Sequence, residues 1–295
     1  MITGFSIILD DDVLYISNEN KYAAFEIVLF VKKLIRSLNP KNYWRLTDIY
    51  FEGETGKERM IIKHLVTDKG QNIFYCITGD FLSSSEEVSK LLAEYYEKVA
   101  ANYETVDIIQ KASTNSEFPK IIKLITAFLW DKYREPLEDE KIEIKCSDMK
   151  NKIIYCGISS QGLPIISQLY DTTLLHNFHR EITNENIELL SSNISAKLAT
   201  IAMNTQIRAK TNIKEVHFDD LGDNGCKKLI LYSSINDYSL DFIASGDFVK
   251  IKEIFKQLEA NVLQEQVLQK EFKGDLKPYK FLKSYLDNMI LQFDQ

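Results

Sequence analysis

The sequence predicts an α+β protein of two similar domains, each with a five-stranded antiparallel sheet flanked by helices. An internal repeat carries this prediction, because residues 5–17 align with 155–167 and residues 75–81 align with 242–248 without a gap. Helix-like and then strand-like sequence separates the two matched segments in both halves. Two matches in the same order indicate a duplicated module.

The first half begins with two short apolar runs separated by the acidic turn 10–12, which is typical of a β-hairpin. A mostly apolar helix follows and ends at Asn39 and Pro40. Three strands come next, and apolar residues at helical spacing between Val88 and Val99 then predict another helix. The predicted elements are strands 5–9 and 13–17, helix 22–38, strands 44–51, 59–66 and 73–77, and a helix through 88–99.

The second half repeats this order, with extra residues at 168–183 that include a short helix through Leu174 and Leu175. The pair Gly246 and Asp247 opens its last long helix. Short links between consecutive strands favour antiparallel pairing in both halves. The predicted elements are strands 152–158 and 163–170, a helix reaching 208, strands 213–218, 227–233 and 239–244, and a helix after 247.

Two further helices complete the prediction, one through Phe118 and Leu129 between the halves and one from about Tyr279 at the end. An acidic link lies at 138–140. The predicted domains are 1–104 and 149–272, with a helical connector and acidic linker at 105–148 and a C-terminal helix at 273–295.

Composition limits the class of protein. The chain has 295 residues, of which 45% are hydrophobic and 27% are charged, as expected for two globular domains. A net charge of −7 argues against a nucleic-acid partner, whose recognition would require a basic surface. No apolar run approaches the length that crosses a bilayer, so direct membrane insertion is not expected.

The expected location is the cytoplasm, with attachment to membranes only through partners. The first residues lack the basic leader and apolar stretch of a secretory signal. The 4 cysteines are scattered without a Cys-x-x-Cys pair, which indicates a reduced protein without bound metal.

The second hairpin carries a family resemblance. Residues 160–167, Ser-Gln-Gly-Leu-Pro-Ile-Ile-Ser, are similar to the hairpin common in roadblock-like modules. The hairpin 11–17 and the paired Gly-Asp-Phe segments support this, although Asp12 and Leu14 replace the glycine and proline in the first copy. Together with the order of elements, these residues make the chain resemble a tandem protein of the longin and roadblock superfamily.

The resemblance covers most of residues 1–272 and implies two profilin-like domains of order ββαβββα. It implies no cofactor, and a partner that is a small GTPase, another longin or roadblock protein, or a second copy of the chain. Such tandem proteins occur in membrane-trafficking regulators and in archaea related to eukaryotes.

The leading hypothesis is therefore a non-enzymatic scaffold that binds and regulates or tethers a small GTPase. Two alternatives stay open, a purely structural subunit that dimerises, and a small-molecule sensor with a pocket between sheet and helices.

The helix 22–38 is the first candidate partner surface. Its first ten residues contain one charge, Glu26, so the helix is apolar around most of its circumference and needs cover on two sides. The candidate contact residues are Phe25, Leu29 and Phe30. The second cover is either a partner or another part of this chain, such as the helix through Phe118.

The outer strands of the two sheets are the second candidate surface. Val13 and Tyr15 lie in one, and Leu163 and Ile165 lie in the other. An unpaired apolar edge invites the addition of a partner strand. The alternative is that neighbouring loops cover both edges.

Signals for catalysis are weak. Arg134 and Arg180 are candidates for contact with phosphate charge on a bound GTPase, although surface salt bridging explains them as well. His176 and His179, with His217 elsewhere, lack the further ligands of a metal site. The acidic turn 10–12 lacks the spaced oxygens of a calcium loop, and residues 53–57 lack the spacing of a phosphate-binding loop. No catalytic residue and no metal ligand is assigned.

Overall fold

The computed structural model describes residues 1–40, 44–53, 56–81, 86–134, 151–178, 181–221 and 226–293. It confirms an α+β protein with antiparallel strands. The chain divides into two compact units, unit 1 with Met1–Leu29 and Arg45–Ile144, and unit 2 with Phe30–Trp44 and Lys145–Gln295.

In unit 1 the strands lie in the order β2-β1-β5-β4-β3, and each neighbouring pair is antiparallel. Helix α1 is divided at Leu29, so that its second half belongs to unit 2. The elements are β1 (Ile2–Leu9), β2 (Asp12–Ile16), α1 (Tyr22–Leu38), β3 (Trp44–Gly53), β4 (Gly56–Val66), β5 (Asn72–Gly79), α2 (Glu86–Asn102), α3 (Val106–Ser113) and α4 (Glu117–Lys132).

One face of the unit 1 strands packs against α2, α3 and α4. Alternate residues of a strand share a face, which is why Phe5 and Ile7 of β1 both enter this core. The helices contribute apolar stripes with helical spacing. Their buried residues are Val88, Leu91, Tyr95 and Val99 of α2, Ile109 of α3, and Phe118, Ile122, Thr126 and Leu129 of α4.

In unit 2 the strands lie in the order β8-β9-β10-β6-β7, again with antiparallel pairs. A 3-10 helix at Thr172–Phe178 occupies the predicted insertion. The elements are β6 (Lys152–Ser160), β7 (Leu163–Leu169), α5 (Asn184–Arg208), β8 (Asn212–Asp220), β9 (Cys226–Ile235), β10 (Tyr238–Ser245), α6 (Phe248–Val262) and α7 (Phe281–Phe293).

The two faces of the unit 2 strands differ in character. One face forms an apolar core with α6 and α7, in which Phe242 of β10 contacts Phe255 of α6. Helix α5 covers the other face and contacts β6, β7, β8 and β10. That second face carries the polar residues considered below.

The predicted strands and long helices are confirmed to within a few residues, and α3 is an element that the sequence did not predict. The predicted boundaries at 105 and 273 do not coincide with those of the compact units. Helices α3 and α4 belong to the core of unit 1, and α7 belongs to the core of unit 2, because each buries an apolar stripe there. The acidic link 138–140 lies outside the described residues.

Candidate functional site

The predicted contact residues of β2 are buried or half-buried within unit 1. Tyr15 is buried, and its hydroxyl lies 3.0 Å from Thr126 Oγ1 on α4. Val13 is half-buried. Strand β2 ends the strand order and pairs with β1 on one side. Its edge therefore offers backbone groups, while Tyr15 serves to hold α4.

The predicted contact residues of α1 are not on an open surface. Phe25 is completely buried, with its ring near Gly4, at 3.4 Å from where a Cβ of that glycine would lie. Leu29 and Phe30 are half-buried. The expectation that α1 needs cover around most of its circumference agrees with this burial.

The predicted contact residues of β7 differ in exposure. Leu163 is 57% exposed, whereas Ile165 is buried. Pro164 lies between them in the strand, and a proline at an edge lacks the N–H that an added strand would need. This proline makes the β7 edge a poorer target for strand addition than the sequence suggested.

Two of the candidate phosphate contacts and metal ligands lie outside the described residues. Arg134 is exposed after α4, while Arg180 and His179 lie outside the described residues. His176 is exposed, and His217 Nε2 lies 2.9 Å from Glu215 Oε2. Among the described residues, no three His, Cys, Asp or Glu side chains are grouped to hold a metal.

Unit 2 contains a basic groove, defined as the space between the second half of α1, the 3-10 helix and α5, with a volume of about 510 Å³. Its cationic residues are Lys33, Arg36 and Lys197. Its apolar residues are Leu175, Phe178, Leu189 and Leu190.

The Lys197 side chain is held in place by two hydrogen bonds within this groove. Its ammonium contacts Ser37 Oγ and Asn193 Oδ1, which are neutral oxygens. Burial lowers the pKa of Lys197, because it removes water from the charged form. Within the described part of the chain, no carboxylate forms an ion pair with this ammonium. Leu189, beside it, is 55% exposed.

A second feature of unit 2 is a polar cavity of about 170 Å³ under α5. Tyr232 of β9 lines this cavity. It lies opposite Asp241 of β10, and Gly157 of β6 and Ser167 of β7 continue the same row across the strands. Two residues further along, Ser239 of β10 pairs with Ser159 of β6, and these two serines form the floor of the cavity.

Helix α5 roofs the cavity, and two of its four lining residues are alanines. Its large buried residues form one stripe through Leu190, Ile194 and Leu198, and a neighbouring stripe carries Ser191, Ser195 and Ala199. Ala199 and Ala202 line the cavity, with Met203 above the turn at Gly162. Small residues over polar ones leave space between helix and strands.

Asp241 is completely buried beneath the floor. Ser239 Oγ donates to Asp241 Oδ1 at 2.6 Å, and Ser159 Oγ donates to Asp241 Oδ2 at 3.5 Å. Burial raises the pKa of Asp241 to about 7 although these hydrogen bonds lower it, since removal from water disfavours the carboxylate.

Tyr232 supplies a further polar group without a partner. The side chain is 3% exposed, and its hydroxyl makes no hydrogen bond to any described residue. Burial raises the pKa of this phenol, and the nearby Asp241 carboxyl raises it further. Buried hydroxyls without partners are uncommon and call for an explanation.

The repeat offered a signal for this cavity that the sequence analysis missed. Extending the alignment of 75–81 with 242–248 by one residue puts Phe74 opposite Asp241. A carboxyl in an apolar strand, at a position where the other copy has phenylalanine, indicates that this face of the strand is polar in one copy and apolar in the other. The roof of alanine and serine has no such distinct pattern.

Comparisons with protein-family models and with curated proteins find no match for this chain. Among the described residues, no helix combines the length and apolar character needed to span a bilayer.

Proposed function

We propose that the chain is a non-enzymatic interaction scaffold that binds and regulates or tethers a small GTPase through the basic groove of unit 2. The order of elements in the two halves, strand-strand-helix-strand-strand-strand-helix, supports the proposed relation to tandem longin and roadblock proteins. The single observation that carries a binding role is the groove itself.

The groove combines charge with exposed apolar surface. Lys33, Arg36 and Lys197 gather three positive charges in a chain of net charge −7. Leu189 adds an exposed apolar side chain at the same place. A partner segment with a carboxylate next to an apolar residue would complement both the positive charges and the exposed leucine. The opposite charges would also speed the encounter and orient the partner.

Lys197 makes the groove selective for an anion. Its ammonium is partly withdrawn from water and contacts neutral oxygens. An incoming carboxylate would replace part of the lost hydration with a charge-assisted hydrogen bond. A regulator acts by binding one nucleotide state of its GTPase more tightly than the other, so the effect arises from the difference in affinity.

The experiment is capture of small GTPases loaded with GDP or with a GTP analogue. We expect state-dependent binding to the wild-type chain, and at least tenfold weaker binding to the Lys33→Glu, Arg36→Glu double variant. Leu189→Ser should also weaken capture, because exposed apolar residues at the centre of an interface contribute strongly.

Matched controls lie on α4 of unit 1, where Leu124 is 72% exposed and Lys120 and Lys123 are exposed. Leu124→Ser and the Lys120→Glu, Lys123→Glu double variant should leave capture unchanged. If the groove variants and the control variants lost capture equally, the groove would not be the binding surface. If the wild-type chain bound no small GTPase in a nucleotide-dependent way, the proposed function would be wrong.

The dimerising alternative has its own support in the position of β2 at the end of the strand order, with β1 as its paired strand among the described residues. Light scattering over a range of concentrations separates it from the scaffold. A stable dimer that Val13→Lys dissolves, while Val66→Lys on β4 does not, would favour the structural subunit.

A further inference from the structure

We propose that the polar cavity under α5 in unit 2 is a binding site for a small organic cation that donates hydrogen bonds, such as a primary amine. This site is independent of the basic groove and of any GTPase. It follows from the direction of the hydrogen bonds on the floor, from the charge of the lining and from its size.

The floor presents acceptors to the cavity. Ser239 and Ser159 both line the cavity, and both donate their hydroxyl hydrogens to Asp241 beneath. A hydroxyl has one hydrogen and two lone pairs, so a serine that donates downward keeps its lone pairs for a ligand above. The buried carboxyl thereby makes two neutral hydroxyls into acceptors.

The charge of the lining has one sign. Asp237 lies at the rim, and the lining contains no lysine, arginine or histidine among the described residues. Ser160 Oγ donates to the Asp237 carbonyl at 2.9 Å, which fixes the backbone of that turn. Hydrogen-bond acceptors on the floor, together with a carboxylate at the rim, favour a ligand that is positively charged and donates hydrogen bonds.

Tyr232 provides the third element. Its hydroxyl is buried without a hydrogen-bond partner among the described residues, and its side chain lines the cavity. A phenol ring also attracts a cation to its face. A bound ammonium would give this hydroxyl the partner that it lacks.

The size of the cavity limits the ligand. A volume of about 170 Å³ corresponds to roughly six water molecules at about 30 Å³ each. An amine with a few heavy atoms fits, while a nucleotide or a lipid does not.

Binding should release protons near neutral pH. Burial holds the pKa of Asp241 at about 7, and a cation above the two serines favours the carboxylate. The other titratable groups close enough for Asp241 to raise their pKa values are Tyr155 and Cys156 of β6 and Tyr232 of β9. The buried residues of α5 include none.

The probe is ethylammonium chloride, and two-dimensional amide NMR at constant ionic strength monitors its titration. Ethanol serves as the neutral control, and sodium chloride serves as the control for an inorganic cation. Three heavy atoms limit the affinity to about the millimolar range, so the titration extends to about 100 mM. We expect shifts at Ala199–Met203 and at Tyr232 and Ser239 with ethylammonium alone.

Two variants test the assigned groups. Asp241→Asn keeps the shape of the buried group, and Asp237→Asn changes only the rim; each should weaken ethylammonium binding about tenfold. Glu253→Gln, an exposed acid on α6, is the matched control and should change nothing. Calorimetry in two buffers of different ionisation enthalpy should detect proton release from the wild type and not from Asp241→Asn.

Three outcomes would overturn the proposal. Equal shifts with ethanol would indicate a neutral ligand or a cavity that holds only water. Equal shifts with sodium would indicate an inorganic ion. Unchanged affinity in both aspartate variants would remove the role of the acceptor floor.

Discussion

The hydroxyl of Ser239 donates to the carboxyl of Asp241 at 2.6 Å, from two residues earlier on the same face of β10. This contact joins the cavity lining to a carboxyl that has no access to water. It also explains how a carboxyl can be buried in a strand, because two serine hydroxyls compensate for part of the lost hydration. The remaining cost appears in the raised pKa.

We expect the stability of the protein to decrease between about pH 5 and pH 8 because of Asp241. Burial raises its pKa from 3.8 to about 7, so the folded state holds a proton that the unfolded state has released. Stability therefore falls as pH rises through this range and stays reduced above it. Relative to Asp241→Asn, the free energy of unfolding of the wild type should fall by roughly 2 to 3 kcal/mol, measured by urea denaturation. A parallel pH dependence of both proteins would contradict the burial of this carboxyl.

Glu215 should produce the opposite dependence at acid pH. Burial by itself raises the pKa of Glu215, but the hydrogen bonds and charges of His217 and Lys252 outweigh it and lower the pKa from 4.5 to about 2. The stabilisation is present above about pH 4.5 and is lost as pH falls toward 2. Compared with Glu215→Gln, the wild type should lose up to about 2 kcal/mol between about pH 6 and pH 3. Denaturation of both proteins at each pH measures the difference, and equal losses would argue against the ion pair.

The two copies of Gly-Asp-Phe should respond differently to the loss of aspartate. Asp247 caps α6, since its carboxylate accepts from the backbone N–H groups of Val249 at 2.9 Å and Lys250 at 3.3 Å. Asp80 instead pairs with the amino terminus at an exposed position. Asp247→Ala should cost about 1 kcal/mol, and Asp80→Ala less than about 0.5 kcal/mol. Thermal unfolding of the two variants side by side tests this, and similar costs would be inconsistent with a cap at α6 alone.

Gly157 should not tolerate a larger residue. A Cβ at this position would lie 2.1 Å from the hydroxyl of Tyr155 and 2.9 Å from the backbone oxygen of Ile166. The backbone contact cannot be relieved by a side-chain rotation, so Gly157→Ala should destabilise by about 1–3 kcal/mol.

Gly4→Ala is the matched control for that substitution, because its Cβ would meet no atom closer than 3.2 Å, on the Thr78 side chain. Its cost should be below about 1 kcal/mol in the same chemical denaturation. If Gly157→Ala were as stable as Gly4→Ala, the placement of the Tyr155 hydroxyl would be wrong.

Much of the fold could be predicted from local pattern. Alternating apolar residues, turn residues and helical stripes indicated the strands and long helices, because these signals depend on neighbours along the chain. Helix α3 was missed, since it is short and buries only Ile109. The compact units also escaped prediction, because contacts made after folding determine which core receives α4 or α7.

The candidate sites were predicted less well. Leu163 is exposed, whereas Phe25, Tyr15 and Ile165 are buried, because an apolar side chain fits a core and an interface equally well by pattern. The basic groove joins Lys33 and Arg36 of α1 with Lys197 of α5, which is far from them in the chain. No local pattern could have linked them.

The sequence by itself determined the class of the protein, the repeated order of its elements and the positions of its turns, since these rest on the spacing of apolar, glycine and proline residues. Only the tertiary structure decided which polar groups meet. The carboxyl of Asp241 acquires its chemistry from Ser159 on another strand and from the small residues of α5 above it. Burial and hydrogen bonding depend on which groups are close in space, and the spacing of residues along the chain does not reveal this.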